Sequence, residues 1–192
     1  MSALALRVPE PRQRLGLKGP RAAQWLAEQG IVLPTLPNTW ARPEEGAATE
    51  ALLVARLGAT EFFLEDGSAG TTLKRISPFL EEHPPGVYPV MREDRAFVLS
   101  GDGVHEVLAQ VCNVNFAVLP LDSHPVIMTL MIGVAVLVVP HGAGENSGGA
   151  GCSAQAGRYY RIWCDPTFGP YMGASLGAVV IDCGGSYTGV PG

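Results

Sequence analysis

A strand, a glycine turn and a helix start occur twice in this chain at one spacing, and that repeat limits the fold more than any other feature. RLGLKGPRAAQWLAEQG opens with a short strand, turns at Gly19-Pro20 and continues as a helix. Pro20 suits the first helical turn, Ala22, Ala23, Trp25 and Leu26 give helical spacing, and Gly30 can end it. FVLSGDGVHEVLAQVC does the same, with Val104, Val107, Leu108 and Val111 on one helix face. A shift of 82 residues sets Leu17 on Leu99, Gly19 on Gly101, Trp25 on Val107, Leu26 on Leu108 and Ala27 on Ala109.

The echo extends further along the chain. A shift of 75 sets LLVARLGATEFFLEDG over VIMTLMIGVAVLVVPHG, with Gly58 on Gly133 and Gly67 on Gly142. Each copy then reaches a helix: TTLKRISPFL, where Pro78 is expected to limit the helix to short pieces or begin a new turn, and DPTFGPYMGASLGAVV. The predicted class is α+β, with two pseudo-repeated βαββα(β) units that each bury one sheet face against their own helices and could share a pseudo-twofold interface. The expected organisation is an N-terminal arm (1–14), a first unit (15–85), a second unit (86–182) with a flexible glycine-rich loop at 142–157, and a loose tail (183–192). That loop could also act as a catalytic lid, although Glu145 and Cys152 are its only chemically active side chains.

Charge narrows the function classes. The net charge is −5, and no basic stripe is visible, which argues against a nucleic-acid partner. Residues 1–96 hold 23 of the 31 charged side chains. So apolar a second half fits extensive contact with a partner, or a surface of small neutral residues. Arg7, Arg12, Arg14, Lys18 and Arg21 read as a solvated basic arm that could also meet an acidic partner surface. VIMTLMIGVAVLVVP is fifteen apolar residues, short of the roughly 20 that span a bilayer as a helix. Its β-branched content and Gly133 fit two strands joined by a tight turn, or one bent strand. No membrane segment is predicted, and the start of the chain lacks an uninterrupted apolar leader, so the expected location is cytoplasmic.

The residues that could carry chemistry are dispersed. Cys112, Cys152, Cys164 and Cys183 form no C-x-x-C pair and read as reduced, mostly buried thiols, with no zinc set. His83, His105, His124 and His141 lie far apart. Glu44-Glu45, Glu81-Glu82 and Glu93-Asp94 read as solvated carboxylate pairs rather than acid and base. The turn Gly101-Asp102-Gly103 invites a phosphate-loop reading, since a helix N-terminus attracts anions. It lacks the third glycine of the dinucleotide fingerprint, a ribose-binding acid other than Asp122, and a G-x-x-x-x-G-K-[ST] motif. Asp102 would repel an anion, and reads instead as a helix cap. Ser100 does not stand in a nucleophile elbow. The sequence therefore offers no catalytic, cofactor-binding or metal-ligating set.

Taken together, LKGPRAAQWLAEQGIVLPTLPNTWA, ARLGATEFFLEDG and PPGVYPVMREDRAFVLSGDGVHEVLAQVC resemble the gamma subunit of heterotetrameric sarcosine oxidase and of N-methylglutamate dehydrogenase. The likeness runs from about Leu15 to Cys112, and YYRIWCDPTFGPYMGASL echoes the family's closing strand and helix. The resemblance implies a reduced aminomethyltransferase (glycine-cleavage T-protein)-like fold packed on a large alpha subunit. It also implies that FAD, FMN, NAD and tetrahydrofolate belong to the alpha and beta subunits and zinc to delta. None is then expected on this chain. The alternative is a free-standing folate-binding or folate-dependent protein of the same fold. Its K-G-C-Y-x-G-Q-E signature is absent; Ser186-Tyr187-Thr188-Gly189 lacks the Cys and the Gln-Glu.

Overall fold

The computed structural model describes residues 3–41, 52–142 and 158–189. In chain order the elements begin with β1 (Ala5–Arg7), β2 (Arg14–Lys18), α1 (Ala22–Glu28), β3 (Thr39–Ala41), β4 (Leu53–Arg56), β5 (Glu61–Glu65), α2 (Thr71–Glu81) and β6 (Tyr88–Met91). They continue with β7 (Arg95–Ser100), α3 (Val104–Val111), β8 (Ile127–Met131), β9 (Val134–His141), β10 (Tyr159–Cys164), α4 (Gly169–Asp182) and β11 (Ser186–Thr188). The chain divides into two α+β units, each with its own sheet and its own core.

The unit formed by residues 10–41 and 52–92 holds a five-stranded sheet in the order β3-β4-β5-β2-β6. Leu17, Phe62, Leu64 and Val54 on one sheet face meet Ala22, Trp25 and Leu26 of α1 and Leu73, Ile76 and Leu80 of α2. Apolar side chains at helical spacing thus meet side chains alternating at period two, and the burial of both faces drives the packing. α2 is continuous through Pro78. The proline costs one N–H to the exposed Lys74 carbonyl, a position where water can take its place.

The second unit, residues 3–9, 93–142 and 158–189, holds six strands in the order β11-β1-β7-β10-β9-β8. Its core joins Leu6, Leu99, Tyr160, Ile162 and Val138 to Val107 and Leu108 of α3 and Met172, Leu176 and Val180 of α4. The apolar run from Val126 folds as a hairpin whose two-residue turn, Ile132 (φ 50°) and Gly133 (φ 80°), is left-handed at both positions, as tight hairpins require.

The 82-residue repeat is physical. Leu17 and Leu99 are both fully buried, and Ala22, Trp25 and Leu26 stand where Val104, Val107 and Leu108 stand. Gly19 (φ 123°) and Gly101 (φ 102°) share a left-handed conformation that disfavours side chains. A Cβ on Gly19 would lie 2.3 Å from the Gly86 carbonyl oxygen, and one on Gly101 would lie 2.1 Å from that of Ala3. Each unit contains the series βαβββαβ, one strand more than the sequence pattern suggested, because β3 in the first unit and β10 in the second lie outside the hairpins read there; the second unit also takes in β1.

Several boundaries differ from the sequence reading. Of the expected arm 1–14, the described residues 3–14 are not free: Leu6 is buried, β1 pairs antiparallel with β7, and Arg14 opens β2 in a buried ion pair of 2.6 Å with Glu65. The first unit extends past residue 85 to include β6, which pairs with β2. In the tail, β11 lies parallel to β1, and residues 190–192 fall outside the described residues. The glycine-rich loop lies outside them from residue 143 to 157. The shift of 75 is one strand out of step. In the sheets β5 flanks β2 as β10 flanks β7, so β4 and β5 take the places of β9 and β10, not of β8 and β9.

The glycines of α4 also acquire a reason. A Cβ on Gly173 would meet the Tyr187 hydroxyl at 2.7 Å, and one on Gly177 would meet its ring at 2.7 Å. One turn apart, they leave a flat strip on which Tyr187 of β11 rests. Gly177→Leu should expel Tyr187, and hydrogen exchange at Ser186 and Val8, whose N–H groups reach Leu4 and Thr188 carbonyls, should accelerate to the rate of exposed amides. For the hinge glycines, Gly101→Ala should cost about 3 kcal/mol by backbone overlap and a left-handed φ. Gly133→Ala, with no atom within 4 Å of the new Cβ, should cost about 1 kcal/mol, and urea titration of the two variants checks both values.

Candidate functional site

The Gly101-Asp102-Gly103 turn does not cap α3 through Asp102. Gly103 (φ 88°) holds the N-cap position, its carbonyl accepts from the Glu106 and Val107 N–H groups at 3.0 and 3.2 Å, and Asp102 is exposed one residue earlier. Arg21 likewise holds the N-cap position of α1, which leaves Pro20 ahead of the helix. The turn's role is to bring the chain back over the sheet, and in doing so it delivers His105 to the sheet surface.

His105 Nε2 lies 2.7 Å from the hydroxyl of Tyr160, a fully buried residue of β10. Phe116 meets the same tyrosine ring edge-on at 5.6 Å. Burial and then the nearby Arg158 charge lower the His105 pKa, so the imidazole is held neutral at pH 7. Burial raises the Tyr160 pKa, opposed in part by Arg158, so the phenol keeps its proton. A neutral imidazole and a neutral phenol share one hydrogen bond, which ties the first turn of α3 to the middle of the sheet.

The adjacent Tyr159 points to the opposite sheet face, because successive strand residues alternate. There its ring stacks on His141 at 4.2 Å and 6°, and both are buried. Ser100 is the next residue in that row, opposite Tyr159, and its buried hydroxyl has no hydrogen-bond partner among the described residues. His83 and His124 are exposed and in left-handed backbone, where each terminates a helical turn. Glu81, Glu82 and Glu93 are exposed and Asp94 half-buried, while Glu44-Glu45 lie outside the described residues.

Cys112 and Cys164 are buried and Cys183 half-buried, whereas Cys152 lies outside the described residues. Burial, together with the Asp94 and Asp165 charges and against that of Arg95, pushes the Cys164 thiol up to about 11 and leaves it inert. Among the described residues no three His, Cys, Asp or Glu side chains converge on a metal-sized site, and no helix is long and apolar enough to cross a membrane.

The His-Tyr pair distinguishes the two units. Under the 82-residue shift Ala23 stands where His105 stands, and Phe62, opposite Leu17, stands where Tyr160 stands opposite Leu99. Comparing the copies position by position would have found the pair, but the tyrosine's match requires the sheet register.

No protein-family model matches the sequence, and no curated protein does. Solved structures do. The glycine cleavage system aminomethyltransferase T from Bartonella henselae superposes with a TM-score of 0.65 at 14% identity, over 99% of this chain and 49% of that one. A chain of the heterotetrameric sarcosine oxidase from Corynebacterium sp. U-96 superposes with a TM-score of 0.67 at 19% identity, over 96% of this chain and 87% of that one. The fold is thus α+β and aminomethyltransferase-like, and this chain spans about half the length of the aminomethyltransferase it matches.

Because the folded state holds His105 below its ordinary value of about 6.5, the unfolded chain binds its proton first as the pH falls. The contribution of the neutral imidazole is present above that value and is lost below it. Thermal melts from pH 7.5 to 5 should therefore fall more steeply for the natural chain than for His105→Gln, which has nothing to titrate there.

Proposed function

We propose that this chain is a non-catalytic, gamma-type subunit of a heterotetrameric flavoenzyme that oxidatively demethylates an N-methyl amino acid and passes the one-carbon unit to tetrahydrofolate. The enzyme would be of the sarcosine oxidase or N-methylglutamate dehydrogenase class. The observation that carries the reading is the superposition of this chain on a chain of a heterotetrameric sarcosine oxidase, over 96% of this chain and 87% of that one. The placement of the chemical groups supports it too, since His105 and Tyr160 are joined to each other, and His141 stacks on Tyr159.

On this reading FAD, FMN, NAD and tetrahydrofolate are held by alpha and beta subunits and zinc by a delta subunit, in a cytoplasmic complex. This chain contributes surface and rigidity, and the oxidation proceeds on its partners. A free-standing folate-binding protein is the second reading, favoured by the superposition of nearly the whole chain on an aminomethyltransferase.

Co-expression with the neighbouring genes separates the two. The expected outcome is a purified complex that absorbs near 450 nm from flavin and includes this chain in fixed stoichiometry. A stable monomer that captures no flavoprotein and binds tetrahydrofolate at micromolar affinity by calorimetry would replace the first reading with the second.

A further inference from the structure

We draw no further inference here: the strongest candidate, the buried row of Ser100, Tyr159 and His141 on the sheet face turned away from α3 and α4, belongs to the site already described, and the Ser100 hydroxyl, without a hydrogen-bond partner among the described residues, does not by itself identify a ligand.

Discussion

In both units the chain reverses from strand to helix at a glycine that touches a neighbouring backbone. Gly19 lies against the Gly86 carbonyl, Gly101 against that of Ala3, and no side chain larger than hydrogen fits at either place. The contact does two things at once. It returns the helix over its own sheet, so that Trp25 and Leu26, or Val107 and Leu108, reach the core. It also fixes where the next strand enters, because Gly86 stands two residues before β6, as Ala3 stands two residues before β1.

That correspondence exposes an asymmetry between the repeats. Lys18 pairs with Tyr88 of β6, and its counterpart Ser100 pairs with Ala5 of β1. In the first unit the strand after the second helix fills this place. In the second it is filled by the start of the chain, and β11, the strand that follows α4, lies outside it. The second unit therefore depends on both ends of the described chain. Tyr187 against Gly173 and Gly177, and the bonds from Ser186 to Leu4 and from Val8 to Thr188, hold those ends together.

What was legible in the sequence followed from local physics. The helix faces, the turn at Gly133 and the paired Gly19 and Gly101 each announce themselves within a few residues. Non-local pairing did not. β1 is three residues long and soon followed by Pro9, too short to show a period, and only its partners β7 and β11 make it a strand. Asp102 looked like a cap by composition, but the left-handed turn needed the glycine after it and moved the cap position there. The hairpin register slipped because Gly58 and Gly133 are both turn glycines, yet they serve turns one strand apart. The His105–Tyr160 bond joins residues 55 apart and was invisible for the same reason.

The polar side chains are largely committed to holding backbone in place. Asp66 accepts from the Gly67 and Leu73 N–H groups at 2.9 and 2.7 Å and so secures the start of α2, which has no side-chain cap of its own. Arg56 donates to the carbonyls of Pro34, Thr35, Gly58 and Ala59, gathering two loops around one guanidinium. Glu65 is fully buried against Arg14, an arrangement in which each charge offsets the other's desolvation. A carboxylate or imidazole engaged this way has a fixed geometry and a partner it cannot leave without destabilising the fold. A catalytic group needs the opposite: a free lone pair or proton facing a substrate. The side chains of Asp66, Arg56 and Glu65 are in this sense committed to the architecture of the unit that holds them.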